Sequence, residues 1–188
     1  MNPFNPKPRP CKQCNKPFVP ARPLQTVCSH KCAAKKVKAD KAKEKSQERV
    51  QLKARKEAIK TIPQLIKEAQ VAFNKFIRLR DAGKPCICCG LPLGSEAVGG
   101  GFDAGHYRST GSASHLRFNE DNCHGQRKQC NRYGAGRAVD YRLGLMDRIG
   151  LERVLLLEAS NQPHKWERDE VTGIRDTYRK KAKEVVSC

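Results

Sequence analysis

The chain has 188 residues, and its 38 lysines and arginines against 19 aspartates and glutamates give it a formal net charge of +19. This excess favours a polyanionic partner, and no apolar run approaches the ~18 residues that a membrane span requires, so we expect no membrane insertion. Ten cysteines without a signal-peptide pattern predict reduced thiols that bind metal in the cytoplasm, rather than disulfides in an exported protein.

Residues 1–32 are rich in proline and cysteine and contain no acidic residue. The pair Cys11 and Cys14 is followed, after 13 intervening residues, by Cys28 and Cys32. A tetrahedral zinc ion needs four ligands, and two close pairs on either side of a loop can supply them. The spacing predicts an N-terminal four-cysteine zinc finger, in which the metal orders a segment that lacks a core of its own.

Residues 33–60 contain no glycine or proline and carry 11 lysines and arginines against 4 acidic residues. Good helix formers dominate, but apolar periodicity is weak, which predicts an exposed basic helix or a partly disordered arm. Next to a zinc finger, such a charge run favours contacts with phosphates. The candidate DNA-binding residues here are Lys35, Lys36, Lys38 and Lys41.

Residues 61–85 predict an amphipathic helix, because apolar residues from Ile62 to Ile77 recur at helical spacing. Thr61 and Gln64 have the spacing of a capping box, and Gly83 and Pro85 predict the end of the helix.

Residues 86–137 are rich in glycine, cysteine and histidine, and they predict a compact ββα element with long loops. Cys86 and Cys89 form one C-x2-C pair, and Cys130 would supply a third thiolate. An ordinary C-x2-C partner of Cys130 would stand at position 127, which is Arg127. A second zinc site would therefore be completed by Cys123, His124 or Cys88.

Three further residues of this segment combine oxygen ligands with a base. Asp103 and Asn131 offer the hard oxygen atoms that select Mg²⁺ or Mn²⁺, and His106 offers an imidazole that can take a proton from water near neutral pH. Hydrolysis of a phosphodiester requires these functions. Residues 138–188 are expected to form C-terminal helices, with an interruption at Gly150 and a last helix from about residue 168 to 186.

Four sequence motifs resemble the HNH, or ββα-metal, nuclease motif in its His-Asn-Asn form, and nearly the whole chain resembles the lambdoid phage NinG (Rap) family. The resemblance implies an α+β fold: a small zinc-stabilised ββα-metal core, an N-terminal four-cysteine finger and flanking α-helices. It also implies a recombination endonuclease that acts on branched DNA, including Holliday junctions and displacement loops, in the bacterial host cytoplasm. The motifs are Cys86-x-x-Cys89, Asp103-Ala-Gly-His106-Tyr-Arg-Ser, Leu116-Arg-Phe-Asn119 and Cys130-Asn131-Arg132-Tyr133.

The resemblance also implies roles for individual residues. His106 matches the general base, while Asp103 and Asn131 match the ligands of one catalytic divalent ion. Asn122, rather than Asn119, is expected to orient the base through a loop hydrogen bond. Many members of the family have a cysteine where this chain has Arg127, so we expect Cys123 to be a displaced fourth zinc ligand.

Several arginines surround the motif and are candidates for contacts with flanking phosphates, namely Arg108, Arg117, Arg132 and Arg137. Symmetric cleavage of a four-way junction needs two active sites, so we expect a homodimer, and phage recombination proteins are further candidate partners. Two alternatives stay open at this stage: a non-catalytic, zinc-dependent DNA-binding adaptor in recombination, and an RNA-binding protein.

Overall fold

The computed structural model describes residues 7–94, 101–134 and 136–187, in two compact units, 1–60 and 61–188. Residues 1–6, 95–100, 135 and 188, which belong to the predicted finger, nuclease core and C-terminal helices, lie outside the described residues. The described residues combine α-helices with two short antiparallel hairpins, so the predicted α+β class is confirmed. None of the described helices is both long and apolar enough to cross a bilayer.

The first unit consists of a small hairpin and one long helix. Strands β1 (Arg9–Pro10) and β2 (Pro17–Phe18) pair antiparallel, and helix α1 runs over His30–Ala58. Ser29 caps α1, since its hydroxyl accepts a hydrogen bond from the Cys32 N–H at 3.3 Å. The helix buries none of its residues, so its stability comes from helix propensity and capping rather than from packing.

The second unit is built on two helices, α2 (Ile62–Arg80) and α5 (Arg168–Ser187). The predicted capping box at the start of α2 is confirmed: the Gln64 N–H donates to the Thr61 hydroxyl, and the Thr61 N–H donates to the Gln64 side chain at 2.8 Å. The two helices share a core in which the edge of the Tyr178 ring meets Phe73, with ring centroids 4.8 Å apart.

A hairpin of strands β3 (Phe102–His106) and β4 (Cys123–Arg127) packs against this core. Its register pairs Phe102 with Arg127 and His106 with Cys123. A short π-helix, Gln129–Tyr133, follows β4, and helices α3 (Ala138–Ile149) and α4 (Leu151–Ala159) form a second core with Ile87 and Leu116. The buried Tyr141 hydroxyl joins this core to both strands, because it donates to the Gly105 carbonyl and accepts from the His124 N–H.

Close packing between α3 and the turn at Ile87 depends on Gly144. A Cβ atom at this position would lie 1.8 Å from the Ile87 carbonyl oxygen, a distance that requires the backbone to move. We expect Gly144→Ala to lower the free energy of unfolding by about 1–3 kcal/mol, as overpacked cores do. The measurement is urea unfolding followed by circular dichroism.

Gly173→Ala in α5 is the matched control, since nothing lies within 4 Å of a Cβ atom at that position. It should raise the free energy of unfolding by about 0.5–1 kcal/mol, because alanine loses less backbone entropy in a helix than glycine does. Equal effects of the two substitutions would contradict the packing described for Gly144.

Candidate functional site

The first candidate metal centre is the cysteine cluster of the N-terminal unit. The sulfur atoms of Cys11, Cys14, Cys28 and Cys32 all lie within 4.8 Å of one another. A tight turn that places Asn15 in the left-handed region (φ 57°) presents the first pair, and the first turn of α1 carries Cys32. These four thiols have the number and spacing of a tetrahedral zinc site, so the cluster could hold a zinc ion.

The thiols of this cluster differ in acidity. Burial by itself would raise the pKa of Cys11, but backbone N–H groups of Cys14, Gln13 and Cys28 donate to its sulfur and lower the pKa to about 6. The neighbouring thiols of Cys32 and Cys14 instead raise the pKa of Cys28 to about 12. A thiolate therefore forms more easily at Cys11 than at Cys28, and a bound cation would stabilise the thiolate of Cys28.

The second candidate metal centre contains three cysteines in place of four. The sulfur atoms of Cys86, Cys89 and Cys130 lie within 4.8 Å of one another, and those of Cys89 and Cys130 are 3.6 Å apart. The N–H of Arg127 donates to the Cys86 sulfur at 3.3 Å. Position 127 therefore lies next to the cluster, as the C-x2-C spacing predicts, but its side chain is not a ligand.

Cys123 does not belong to this cluster, which corrects its prediction as the fourth zinc ligand. It is fully buried in the core formed by α2 and α5, where its sulfur lies 3.8 Å from His106 Nδ1. Burial raises the pKa of Cys123, so it is a neutral thiol in this core. The physical reason is strand geometry: Cys123 is paired with His106, at the end of β4 opposite to Arg127.

The two alternatives to Cys123 have other partners. The His124 ring lies 3.1 Å from the Asp121 carbonyl and 3.0 Å from the Arg80 guanidinium. The Cys88 sulfur accepts a hydrogen bond from Gln126 Nε2 at 2.8 Å, and its thiol contacts only one member of the cluster, Cys86. Within residues 7–94, 101–134 and 136–187, the second cluster thus has three ligands.

The structure brings the side chains of Asp103 and Asn131 together. The Asn131 amide donates to the Asp103 carboxylate at 3.0 Å, and the Arg132 guanidinium donates to both carboxylate oxygens, at 2.8 and 2.9 Å. Burial by itself would raise the pKa of Asp103, but Arg132 and Asn131 lower it, so the group is a carboxylate at neutral pH. Arg132 is more than half exposed, so it can leave the carboxylate without being drawn out of a core.

Asp103 and Asn131 could supply two of the oxygen ligands that a hard divalent ion requires. An Asp103 carboxylate oxygen and the Asn131 amide oxygen are two hard ligands, and Mg²⁺ commonly takes one or two carboxylates and completes its shell with water and substrate phosphate. No second carboxylate or imidazole joins Asp103 in a metal-binding group of the described residues. Arg132 would have to release Asp103 before an ion could bind.

His106 is held by the loop that follows β3. Its Nε2 lies 2.9 Å from the Arg117 carbonyl oxygen, which can only accept, so Nε2 carries the proton of the neutral ring. The lone pair is therefore on Nδ1, which faces the Cys123 thiol. Burial lowers the pKa of His106, which favours the neutral imidazole.

Asp103 and His106, the predicted metal ligand and general base, do not form one cluster. They are three residues apart in β3, and successive side chains of a strand point to opposite faces of the sheet. Their contacts agree with this, since Asp103 meets Asn131 and Arg132 while His106 meets Cys123 in the core.

Asn122 braces the loop that holds His106. Its side chain accepts from the Arg108 N–H and donates to the carbonyls of Arg108 and Leu116. The Arg117 carbonyl that binds His106 follows directly after Leu116. Asn122 therefore positions the loop without touching the ring, whereas Asn119 only accepts from the N–H groups of Asp121 and Asn122.

Two of the predicted phosphate-binding arginines have partners within the protein, so they would have to release these contacts to bind a phosphate. The Arg108 guanidinium donates to three carbonyls at the end of α4, including that of Leu157 at 2.8 Å, and to the Asn161 side chain. The Arg117 guanidinium contacts Gln70 and the Thr110 carbonyl, and burial lowers its pKa. Arg132 and Arg137 are exposed, although both are ion-paired, with Asp103 and Asp140.

The predicted lysines of α1 lie on a surface. Lys35, Lys38 and Lys41 are exposed, and Lys36 pairs with Asp40 at 2.7 Å. Because α1 buries none of its residues, its exposed lysines can contact a partner without disturbing a core.

Two side chains make contacts beside the second cysteine cluster that the sequence did not predict. Gln126 stands opposite Asp103 in the hairpin and donates to the Cys88 sulfur and to the Gly136 carbonyl. The Arg137 guanidinium contacts the Cys130 sulfur. Both depend on tertiary contacts, and for neither residue does a sequence motif mark the role.

Comparisons with known proteins agree along almost the whole chain. Residues 4–187 match the family described as Bacteriophage Lambda NinG protein. The chain is 40% identical over 194 residues to Protein ninG of Escherichia phage lambda, which covers 94% of this chain and 93% of that protein. The identity is 39%, with the same coverage, to Protein ninG of Salmonella phage P22. No solved structure matches the chain.

Removing one thiol of the first cluster should remove its metal. We expect Cys28→Ala to bind one zinc ion fewer per chain than the unsubstituted protein, because the three remaining thiols cannot complete the tetrahedral site. The measurement is zinc content by mass spectrometry after gel filtration. Cys88→Ala is the control: its sulfur belongs to neither cluster and its loss should leave the zinc content unchanged, so an equal loss in both variants would contradict the assignment.

Proposed function

Because this chain belongs to the NinG family of lambdoid phage proteins, we propose that it is a metal-dependent endonuclease that cuts branched DNA during phage recombination. Holliday junctions and displacement loops are the proposed substrates. The charge distribution supports a DNA partner, since the first 60 residues carry 17 lysines and arginines against 4 acidic residues. Contacts of this kind are insensitive to sequence, which suits an enzyme that recognises the shape of a junction.

The observation that carries the proposal is the meeting of Asp103 and Asn131. They come from a strand and from the π-helix after it, and their side chains lie within hydrogen-bond distance at the surface. The hairpin followed by a short helical segment, beside a cysteine knuckle, supports a ββα-metal core.

When bound at this pair, a divalent ion would neutralise charge on the scissile phosphate and acidify a water molecule. Asp103 and Asn131 would hold it through oxygen atoms. Arg132, on leaving Asp103, would bind a phosphate oxygen with the same two N–H groups. The proposed products are nicks with 5′ phosphates.

His106 is the proposed general base. The Arg117 carbonyl fixes its tautomer and orientation, and Asn122 holds the loop that carries this carbonyl. The nitrogen that would accept the proton is Nδ1, which faces the Cys123 thiol. His106 can accept a proton from a water beside the phosphate at Asp103 only if its ring moves away from Cys123 and around the end of β3. The proposal includes this rearrangement.

A second candidate, a zinc-dependent DNA-binding adaptor without catalysis, is favoured by two observations. Asp103 and His106 lie on opposite faces of β3, and Arg132 occupies the carboxylate. An adaptor needs the basic helix and the zinc sites but no water-activating group.

Cleavage of a synthetic four-way junction with Mg²⁺ or Mn²⁺ distinguishes the two functions. We expect metal-dependent nicking, and a loss of about 10²- to 10⁴-fold in His106→Ala, the usual contribution of a general base. Because burial holds the pKa of His106 below its usual value, the unprotonated ring predominates at neutral pH. The cleavage rate should therefore rise with pH in the acidic range and level off by neutrality.

Asp103→Ala should lose cleavage while it retains junction binding and its circular dichroism spectrum. His164→Ala is the matched histidine control and should cut normally, since that ring lies on the surface against Trp166 and Glu170. Tight binding without cutting, with either metal and at any pH, would refute the nuclease and establish the adaptor.

The basic helix generates a separate prediction about binding. Replacing Lys35, Lys38 and Lys41 together by glutamine should weaken binding to junction and duplex alike, because the expected contacts are with phosphates. The slope of log K against log salt should fall by up to about 3, one unit for each lost contact. Fluorescence anisotropy measures both quantities. The triple lysine-to-arginine variant should bind normally, and stronger binding to RNA of equal length would favour the RNA-binding alternative.

A further inference from the structure

The second cysteine cluster differs from the first in the number of ligands. Cys86 and Cys130 are almost fully buried, and Cys89 completes a compact group of three sulfur atoms. Two features fix the turn that carries Cys86: the Cys86 N–H donates to the Leu91 carbonyl at 2.8 Å, and Gly90 adopts a left-handed conformation. Three preformed thiols with such spacing are a ligand set for a thiophilic ion such as zinc.

The place of a fourth protein ligand is taken by Arg127. The backbone at this position lies where a C-x2-C partner of Cys130 would stand, because its N–H donates to the Cys86 sulfur at 3.3 Å. Among the residues that the structure describes, no further cysteine, histidine or carboxylate lies within 4.8 Å of all three thiols, although the Cys88 thiol contacts that of Cys86. Zinc at this cluster would be coordinatively incomplete without a ligand from outside the described chain.

An open cavity reaches the cluster. It measures about 390 Å³, and Cys89 and Cys130 form part of its wall together with Arg127, Arg137 and Tyr133. The cavity therefore gives a small molecule or ion from solvent a path to the edge of the cluster that Cys89 and Cys130 form. A structural zinc site, in contrast, is closed by four protein ligands.

Charge determines which external ligand suits the site. Zinc with three thiolates carries a net charge of about −1, against −2 for a four-thiolate site. The Arg137 guanidinium contacts the Cys130 sulfur, and Arg127 lines the same cavity. The Arg137 guanidinium beside the Cys130 sulfur and the positive charge of Arg127 in the cavity wall favour an anion there.

We propose that the Cys86, Cys89 and Cys130 cluster binds zinc through three thiolates and keeps an exchangeable fourth position for a small anion from solvent. Water or hydroxide occupies this position at rest, and an incoming thiolate or azide replaces it without any change in oxidation state. This proposal concerns the zinc site only and does not depend on the nuclease activity. It makes the second site more reactive and more labile than the four-cysteine site of the first unit.

Cobalt substitution tests the proposal on the full chain. With Co²⁺ in both sites, added azide should shift the visible absorption of one site and leave the other unchanged. X-ray absorption of Cys28→Ala loaded with zinc should show three sulfur atoms and one light atom around the metal of the second cluster. Metal bound by four sulfur atoms, or no metal at this cluster, would overturn the proposal.

Arg127→Cys is the matched variant, since it restores the fourth thiol where the backbone already faces the cluster. It should abolish the azide response and slow the loss of zinc to a chelator. Removing a group that only hydrogen-bonds to a metal ligand already costs about 10- to 100-fold in metal affinity. A fourth direct ligand should therefore slow the release of zinc to the chelator at least tenfold. Arg127→Ala keeps the position open and should still respond to azide, but at a higher azide concentration, because one positive charge beside the position is lost. An unchanged azide response in Arg127→Cys would also overturn the proposal.

Discussion

A buried carboxylate at the end of α2 fixes the geometry on which the second unit depends. Asp81 is fully buried and accepts hydrogen bonds from Arg80, Lys84 and the Gly125 N–H. Burial by itself would raise the pKa of Asp81, but contacts with His124 and Arg80 hold it well below its usual range. Because an unpaired charge in a core is costly, the Asp81 carboxylate requires these partners. The bond from the Gly125 N–H attaches β4 to the end of α2.

This attachment determines which side chains of the hairpin can cooperate. Once β4 is fixed, the antiparallel register sets β3, and alternation along β3 separates Asp103 from His106. Asp103 then faces the π-helix that carries Asn131, whereas His106 faces α2 beside Cys123. Any chemistry that uses both groups must bring them together around the end of one strand, so it requires a local rearrangement rather than a preformed cluster.

Local signals in the sequence predicted the local structure well. The capping box at Thr61, the end of α2 before Gly83 and the spacing of the four N-terminal cysteines each depend on residues a short distance apart in the chain, and each is present. The tertiary partners were not predictable. Nothing in the sequence marks Arg108 as a cap of α4 or Asp81 as a buried carboxylate, because both roles arise from contacts between residues more than 40 positions apart.

The same strand explains why the chain can dispense with a fourth cysteine at position 127. In a structural zinc knuckle the metal itself orders the two ligand turns. Here β4 pairs Arg127 with Phe102, the Ile87 N–H donates to the Gly125 carbonyl, and Asp81 binds the Gly125 N–H. Protein contacts thus hold both turns in place, so their structure does not depend on a bound metal. In the proposed site, a zinc ion held by three thiolates would therefore leave the two turns folded and would keep one coordination position open to solvent.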